Sequence, residues 1–210
     1  MAIAGATKKE PIPAPLHDEV MPESGWDGDQ RESAVFAGGC FWGVQSVFQR
    51  VKGVEKTTVG YSGGAKYTAD YRAVSTGTTG HAEAIEIIYD PSKVSFGTLL
   101  RVFFSVVHDP TQLDRQGNDV GTQYRSAIFY TDDEQREVAE AYVKQLDEAH
   151  IFPSPIVTQI VPLEHFFGGE EYHQDYAIKN PHNPYIQVCD IPKIADLERQ
   201  FPALFQEYRP

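Results

Sequence analysis

The chain has 210 residues, 41% of them hydrophobic, and sets 18 Lys and Arg against 30 Asp and Glu for a formal net charge of -12. That size supports one well-buried domain, and the acidic balance argues against nucleic acid or an anionic membrane surface as a partner. No apolar stretch is long enough to span a bilayer, and two cysteines make no disulfide framework. The expectation is a monomer in a reducing, cytoplasmic setting. The opening Met1 to Lys9 has a short apolar start but no hydrophobic region after basic residues, so no secretory signal is read there.

Residues 1–32 hold Pro11, Pro13, Pro15 and Pro22 among charges and glycines and predict an extended, irregular N-terminal arm. A single domain is expected over 33–210. It begins with a buried strand at 33–38. After Cys40, apolar residues recur at Val44, Val47, Phe48 and Val51, the stripe of a helix. Val54 to Tyr61 predicts a strand closed by Ser62-Gly63-Gly64. A polar loop runs to Gly80. Ala82 to Tyr89 predicts a strong strand stopped by Asp90-Pro91. Leu99 to Val107 is apolar nearly all round, as in a buried helix. A loop is expected over 109–122 and a strand from Tyr124 to Tyr130. Thr131-Asp132-Asp133-Glu134 reads as a capping box. It opens a helix with Ala139, Tyr142, Val143 and Leu146 inside. Ile156 to Val161 predicts a last strand, followed by helical turns and loops rich in Tyr, His and Pro. The fold class expected is α+β, a two-layer sandwich of a mixed β-sheet with packed helices around a ferredoxin-like core.

Cys40 carries the strongest chemical signal. It stands in Gly-Gly-Cys-Phe-Trp-Gly (38–43), between an apolar strand and a helical run. Helix N-termini carry partial positive charge and unpaired N–H groups, which favours the reactive thiolate. The flanking glycines let backbone approach a ligand. These features favour a nucleophile over a small packed hydrophobe. Glu83 shares a strand face with Ile85, Ile87 and Tyr89. Alternation alone leaves two readings open: a buried carboxyl of raised pKa that donates a proton, or an exposed glutamate where the strand frays. Asp119 lies in a glycine-punctuated loop, where ordinary turn chemistry accounts for it. Neither Tyr71 nor Tyr124 stands out alone. The spacings of His81, His108, His165, His173 and His182 fit no metal site, so no metal is expected. No glycine-rich phosphate loop supports nucleotide binding.

Several stretches together resemble the methionine sulfoxide reductase A family. They are Gly-Gly-Cys-Phe-Trp-Gly (38–43), Val-Gly-Tyr-Ser-Gly-Gly (59–64), Gly-His-Ala-Glu-Ala-Ile-Glu (80–86) and His-Asp-Pro-Thr (108–111). Asp-Arg-Gln-Gly-Asn-Asp-Val-Gly-Thr-Gln-Tyr-Arg-Ser (114–126) and Tyr-His-Gln-Asp-Tyr (172–176) complete the set. They occur in family order over about residues 33–188. The resemblance implies that Cys40 attacks the sulfoxide sulfur and that Glu83 protonates its oxygen. By the same resemblance Tyr71 and Tyr124 hydrogen-bond that oxygen, Asp119 orients the polar network, and Phe41 with Trp42 cages the S-methyl group. The substrate implied is the S sulfoxide of methionine, free or in proteins, and the product on the enzyme is a sulfenic acid. No bound cofactor is implied. The reductant is an external thiol: thioredoxin, glutaredoxin or glutathione, or dithiothreitol in vitro.

One feature departs from the better-known family pattern. No glycine follows Gly169, so the flexible glycine-rich tail that carries resolving cysteines in many members is missing. Cys189 precedes a helix-like stretch to Phe201 and is read as a packed or surface thiol rather than the resolving one, which leaves the sulfenate to an external thiol. Two other functions use the same residues: a silent module that binds oxidised methionine, and a generic thiol peroxidase. Binding alone needs no nucleophile, and peroxide has no methyl group for Phe41 and Trp42 to hold.

Overall fold

The computed structural model describes residues 11–19 and 31–208; the readings at Met1 to Lys9 and at Pro22 lie outside the described residues. In chain order the elements are β1 (Glu32–Gly38), α1 (Phe41–Phe48), β2 (Val54–Ser62), α2 (Tyr71–Val74), β3 (Ala82–Tyr89) and α3 (Phe96–Val102). The hairpin β4 (Arg115–Gln116) and β5 (Asp119–Val120) follows, then β6 (Ser126–Tyr130), α4 (Asp133–Glu148), β7 (Gln159–Pro162) and β8 (Phe166–Gly168). Short helices α5 (Tyr176–Lys179) and α6 (Ile191–Gln200) close the chain.

Six strands form one sheet in the order β7-β6-β1-β3-β2-β8. Every neighbouring pair is antiparallel except β6–β7, which is parallel, so the sheet is mixed. β1 and β3 sit centrally and are apolar on both faces, as strands covered on two sides must be. On one face Ala34, Phe36, Ile85, Ile87, Tyr89 and Ile128 join Val44, Val47 and Phe48 of α1, Leu99 of α3 and Leu146 of α4 in the main core. On the other face Val35, Ala37, Ala82, Ala84, Ala127 and Phe129 form a thinner layer. The main core puts the helices on the same side of the sheet as Glu83, because residues 83, 85, 87 and 89 share a face.

Several sequence expectations are corrected. Val51 lies beyond α1, in an isolated bridge to Phe205. The 109–122 loop contains the β4–β5 hairpin, whose strands of two residues are too short to show alternation. Tyr124 ends a 3-10 turn (Thr122–Tyr124) before β6 rather than starting the strand. The cap of α4 is Asp132, whose carboxylate accepts from the Gln135 N–H at 2.9 Å; Thr131 lies one residue outside, and its N–H donates to Gln135 Oε1 at 3.1 Å. An aspartate in extended backbone competes well for the cap position. The region after Val161, expected to hold only helical turns and loops, contains β8, which pairs with β2 through three residues. The arm expected over 1–32 yields Glu32 to β1. Its described part, 11–19, is irregular but docked. Ile12 O accepts from Arg101 Nε at 2.7 Å, Pro13 O accepts from the Tyr142 hydroxyl at 2.7 Å, and Asp18 Oδ1 accepts from the Gly97 N–H at 2.8 Å.

Candidate active site

β1 ends at Gly38, and Gly39 turns the chain with φ +92, a left-handed backbone that favours glycine. A side chain there would also meet Gln116 at 2.8 Å. This turn makes Cys40 the N-cap of α1. The thiol is free and partly exposed. It opens on a cavity of about 590 Å³ whose wall includes Asp119, Tyr185, Cys189 and Lys193 over apolar Phe104 and Val107. A larger polar groove of about 690 Å³ has neither thiol in its wall.

Glu83 lies behind the thiol. It is 2% exposed, and its Oε2 accepts from the backbone N–H of Phe41, the residue after Cys40, at 3.1 Å. Burial is the largest influence on this carboxyl. It outweighs the Phe41 N–H, which favours the anion, and with the nearby Asp119 charge raises the pKa to about 8. The group is therefore mostly protonated at neutral pH. This decides between the two readings that alternation left open: Glu83 does not fray into solvent.

The thiol itself departs from expectation. Its pKa lies well above the usual cysteine range rather than below it. Burial is the largest cause, followed by the charges of Glu83 and Asp190. The Trp42 backbone N–H and the Tyr185 hydroxyl favour the thiolate but are outweighed. One helix end cannot compensate desolvation and two carboxylates. The resting site therefore pairs a neutral thiol with a neutral acid.

Aromatic side chains surround this pair. Phe41 is 1% exposed and forms a floor, its ring 5.9 Å from Tyr61 and 5.1 Å from His173. Trp42 remains partly exposed, stacked on Tyr176 at 3.8 Å with planes 9° apart. Its Nε1–H donates to His173 Nδ1 at 3.1 Å, so the His173 proton belongs on Nε2. Tyr71 lies 4.4 Å from the His173 ring. Tyr71 and Tyr124 both feel the charges of Glu83 and Cys40; burial first, then those charges, raises both phenols, so they stay protonated as donors. Asp119 accepts at Oδ2 from the Tyr185 hydroxyl at 2.5 Å, and both side chains line the same cavity as Cys40. Cys189 lines the same cavity as Cys40. Among the described residues no group of three His, Cys, Asp or Glu is placed to hold a metal ion.

Sequence reasoning missed four contributors. Glu170 accepts from the Tyr61 hydroxyl at 2.7 Å and the Tyr71 N–H at 2.8 Å, tying β2 to α2. His173 and Tyr176 hold Trp42. Tyr185 donates to Asp119 in the cavity that also holds the thiol. The first three fall in one short run, Glu170 to Tyr176, of which residues 172–176 belong to a stretch quoted for the family resemblance with no role assigned. Tyr185 stands four residues before Cys189, a spacing that shares a helix face.

A glycine turn that presents a thiol beside a buried neutral carboxyl and phenolic donors fits a thiol oxidoreductase on an α+β fold. Comparison with known proteins narrows this class. The family model for peptide methionine sulfoxide reductase matches residues 32–204. The peptide methionine sulfoxide reductase MsrA 2 of Mesorhizobium japonicum is 58% identical over 176 residues, 84% of this chain and 90% of that protein. The corresponding protein of Synechocystis is 53% identical over 170 residues, 81% of this chain and 79% of its own. The methionine sulfoxide reductase A structure of Corynebacterium diphtheriae superposes with a TM-score of 0.63 at 37% identity, covering 86% of this chain and 89% of that one. Mxr1 of Saccharomyces cerevisiae in reduced form gives 0.66 at 32% identity, with 76% and 91% covered. The chain belongs to the peptide methionine sulfoxide reductase family. It is a thiol-dependent enzyme that reduces methionine sulfoxide to methionine through a cysteine sulfenic acid.

Proposed function

We propose that Cys40 is the nucleophile and Glu83 the acid, and that the substrate is the S epimer, free or within proteins. The Glu83 carboxyl held neutral at the Phe41 N–H, one residue from the thiol, carries this reading. A sulfoxide oxygen leaves only once protonated, and a neutral carboxylic acid supplies that proton. Cys40 Sγ attacks the sulfoxide sulfur, and Glu83 protonates the oxygen. The thiol proton restores Glu83. The step converts Cys40–SH and sulfoxide into Cys40–SOH and methionine, with two electrons passing from the cysteine sulfur to the substrate sulfur. Tyr71 and Tyr124 donate to the same oxygen. Trp42 over the Phe41 floor holds the methyl group, the apolar handle that fixes the attack line. Asp119 orients the site through Tyr185.

The sulfenate is reduced by two thiols, giving Cys40–SH, a disulfide and water. We assign them to an external reductant, thioredoxin, glutaredoxin or glutathione, and need no bound cofactor. Cys189 is a poor attacker because burial, with the Asp190 charge, raises its pKa. The same reading makes the protein a cytoplasmic monomer without nucleic-acid or membrane partners, and 33–210 its catalytic domain behind the arm of 1–32. It treats β6-β1-β3-β2, with α1 and α3 as crossovers, as a ferredoxin-like core.

The test is methionine formation from the separate S and R sulfoxides with dithiothreitol. Turnover of S alone, lost in Cys40→Ser, is expected. Equal turnover of both epimers contradicts the proposal and favours a generic thiol chemistry. Mass spectrometry after one equivalent of sulfoxide without reductant should find a sulfenate; a 40–189 disulfide overturns the external-thiol assignment.

A further inference from the structure

The segment 11–19 precedes residues 32–204, the span matched by the family model, yet α3 and α4 are built to hold it. Gly97 of α3 makes room for Asp18: a Cβ there would stand 2.5 Å from all three atoms of the Asp18 carboxyl group. That carboxyl accepts from the Gly97 N–H at 2.8 Å and from the Ser95 hydroxyl at 2.6 Å. The Arg101 guanidinium and the Tyr142 phenol donate to the carbonyls of Ile12 and Pro13, and the Gln145 carboxamide spans Ala14 and Leu16. These bonds fix the Ile12 side chain, 9% exposed, in the main core and in the wall of the cavity that reaches Cys40. A continuous surface links it to the nucleophile. Phe103–Val107 continues α3, and its far end lies against the thiol turn: a Cβ at Gly38, two residues before Cys40, would stand 3.1 Å from Val107 Cγ1. Nearer the segment, the Phe104 ring lies 5.9 Å from that of Tyr142, whose hydroxyl holds Pro13. Phe104, Val106, Val107, Ile151 and Phe152 join Ile12 to make one side of the cavity apolar, and neither Phe41 nor Trp42 belongs to that wall. About 590 Å³ is space for a small molecule rather than for a methyl group.

We propose that this apolar wall is a subsite for the residue next to methionine sulfoxide in a peptide, that it takes an aliphatic or aromatic side chain, and that Ile12 is the specificity-determining residue the N-terminal segment contributes to it. The inference rests on Cys40 as the reacting group, because a sulfoxide held at its sulfur brings the neighbouring residues of the same peptide to the cavity mouth. An apolar neighbour that enters leaves water for an apolar surface, which favours binding. A polar neighbour gives up its hydration there without gaining a partner. The subsite therefore selects sulfoxides flanked by apolar residues, the kind of sequence that a folded protein buries and an unfolded one exposes.

The test compares two S-sulfoxide peptides, acetyl-Leu-Met(O)-Leu-amide and acetyl-Ser-Met(O)-Ser-amide, reduced by the full chain with dithiothreitol. Selectivity is the ratio of their kcat/KM values, and it should favour the leucine peptide about tenfold in the unaltered protein. Ile12→Ser makes the wall polar and Ile12→Trp fills the space; each should cut the ratio about threefold or more. Gly97 is not in the cavity wall. Gly97→Ala drives a methyl group into the Asp18 carboxyl, so it should loosen the segment and lower the ratio as well. A ratio near one in the unaltered protein, or one that neither Ile12 variant changes, overturns the inference. A merely structural segment would lower the melting temperature and both rate constants together while the ratio stayed put, and that result also overturns it. Turnover of both peptides that vanishes in Cys40→Ser upholds the nucleophile whatever the ratio, so the two readings fail separately.

Discussion

Two walls meet at Cys40, and they are built differently. The first comes from regular elements: the β1–α1 turn carries the thiol, and β3 carries Glu83 opposite Tyr61 of β2. The second comes from irregular chain beyond β8: Glu170, His173, Tyr176 and Tyr185 sit on short turns. The first wall is rigid because its strands are buried on both faces. The second is held by a few side-chain bonds, such as Trp42 to His173 and Tyr61 to Glu170. Under the proposed mechanism the difference separates chemistry from fit: the sheet wall holds the thiol and the acid, and the late turns hold the side chains that would orient the substrate.

That comparison breaks most visibly at the sheet wall. Cys40→Ser should abolish methionine formation, measured with dithiothreitol. Glu83→Gln keeps the shape but removes the proton, so kcat should fall about 10²–10⁴-fold with KM little changed. An unaltered kcat places the proton source elsewhere. The pH profile sharpens the same point. Burial raises the Glu83 pKa to about 8, and with Glu83 as the proposed acid kcat/KM should decline as pH rises through about 8. That limb should vanish in Glu83→Gln.

Changes in the second wall should act on binding. Trp42→Ala removes the stacked face above Phe41, and KM should rise roughly tenfold, the worth of one methyl contact in an apolar pocket. Glu170→Gln weakens two tethers to a charged acceptor and should raise KM by a similar or smaller factor. If either variant lowered kcat as far as Glu83→Gln does, the division between the walls would be wrong.

The smallest effect belongs to the docked segment 11–19. Glu19 accepts from the Phe96 N–H at 3.4 Å and lies within reach of the Tyr89 hydroxyl. Burial, then the Glu32 charge, raises its pKa from 4.5 to about 8. A folded value above the unfolded one means docking is fully favoured below about pH 4.5 and loses that contribution as pH rises through 8. Hydrogen exchange at Phe96 and Gly97 should therefore speed up between about pH 4.5 and 8 beyond its intrinsic pH dependence. Exchange that follows only the intrinsic rate would remove Glu19 from the docking.

Legibility followed the same boundary between the walls. Ala82 to Tyr89 alternates over eight residues, so its bounds and its face could be read directly, while the burial of Glu83 could not. The thiol between Gly39 and Phe41 was legible as a turn-to-helix junction. The β4–β5 hairpin and the run from Glu170 to Tyr185 were not, because two- to five-residue elements contain too few periods to register. Their partners are also remote in sequence: Trp42 meets His173 across 131 positions.

The order of residues by itself determined most of the sheet-and-helix skeleton and the family, since each depends on local pattern or on motifs in sequence. Protonation was decided only by the tertiary structure. A helix start taken alone favours an ionised Cys40, but burial in the folded surroundings outweighs it and reverses the sign. Charge states depend on what is packed around a group from every direction, and that is a property of assembled chain rather than of neighbours along it.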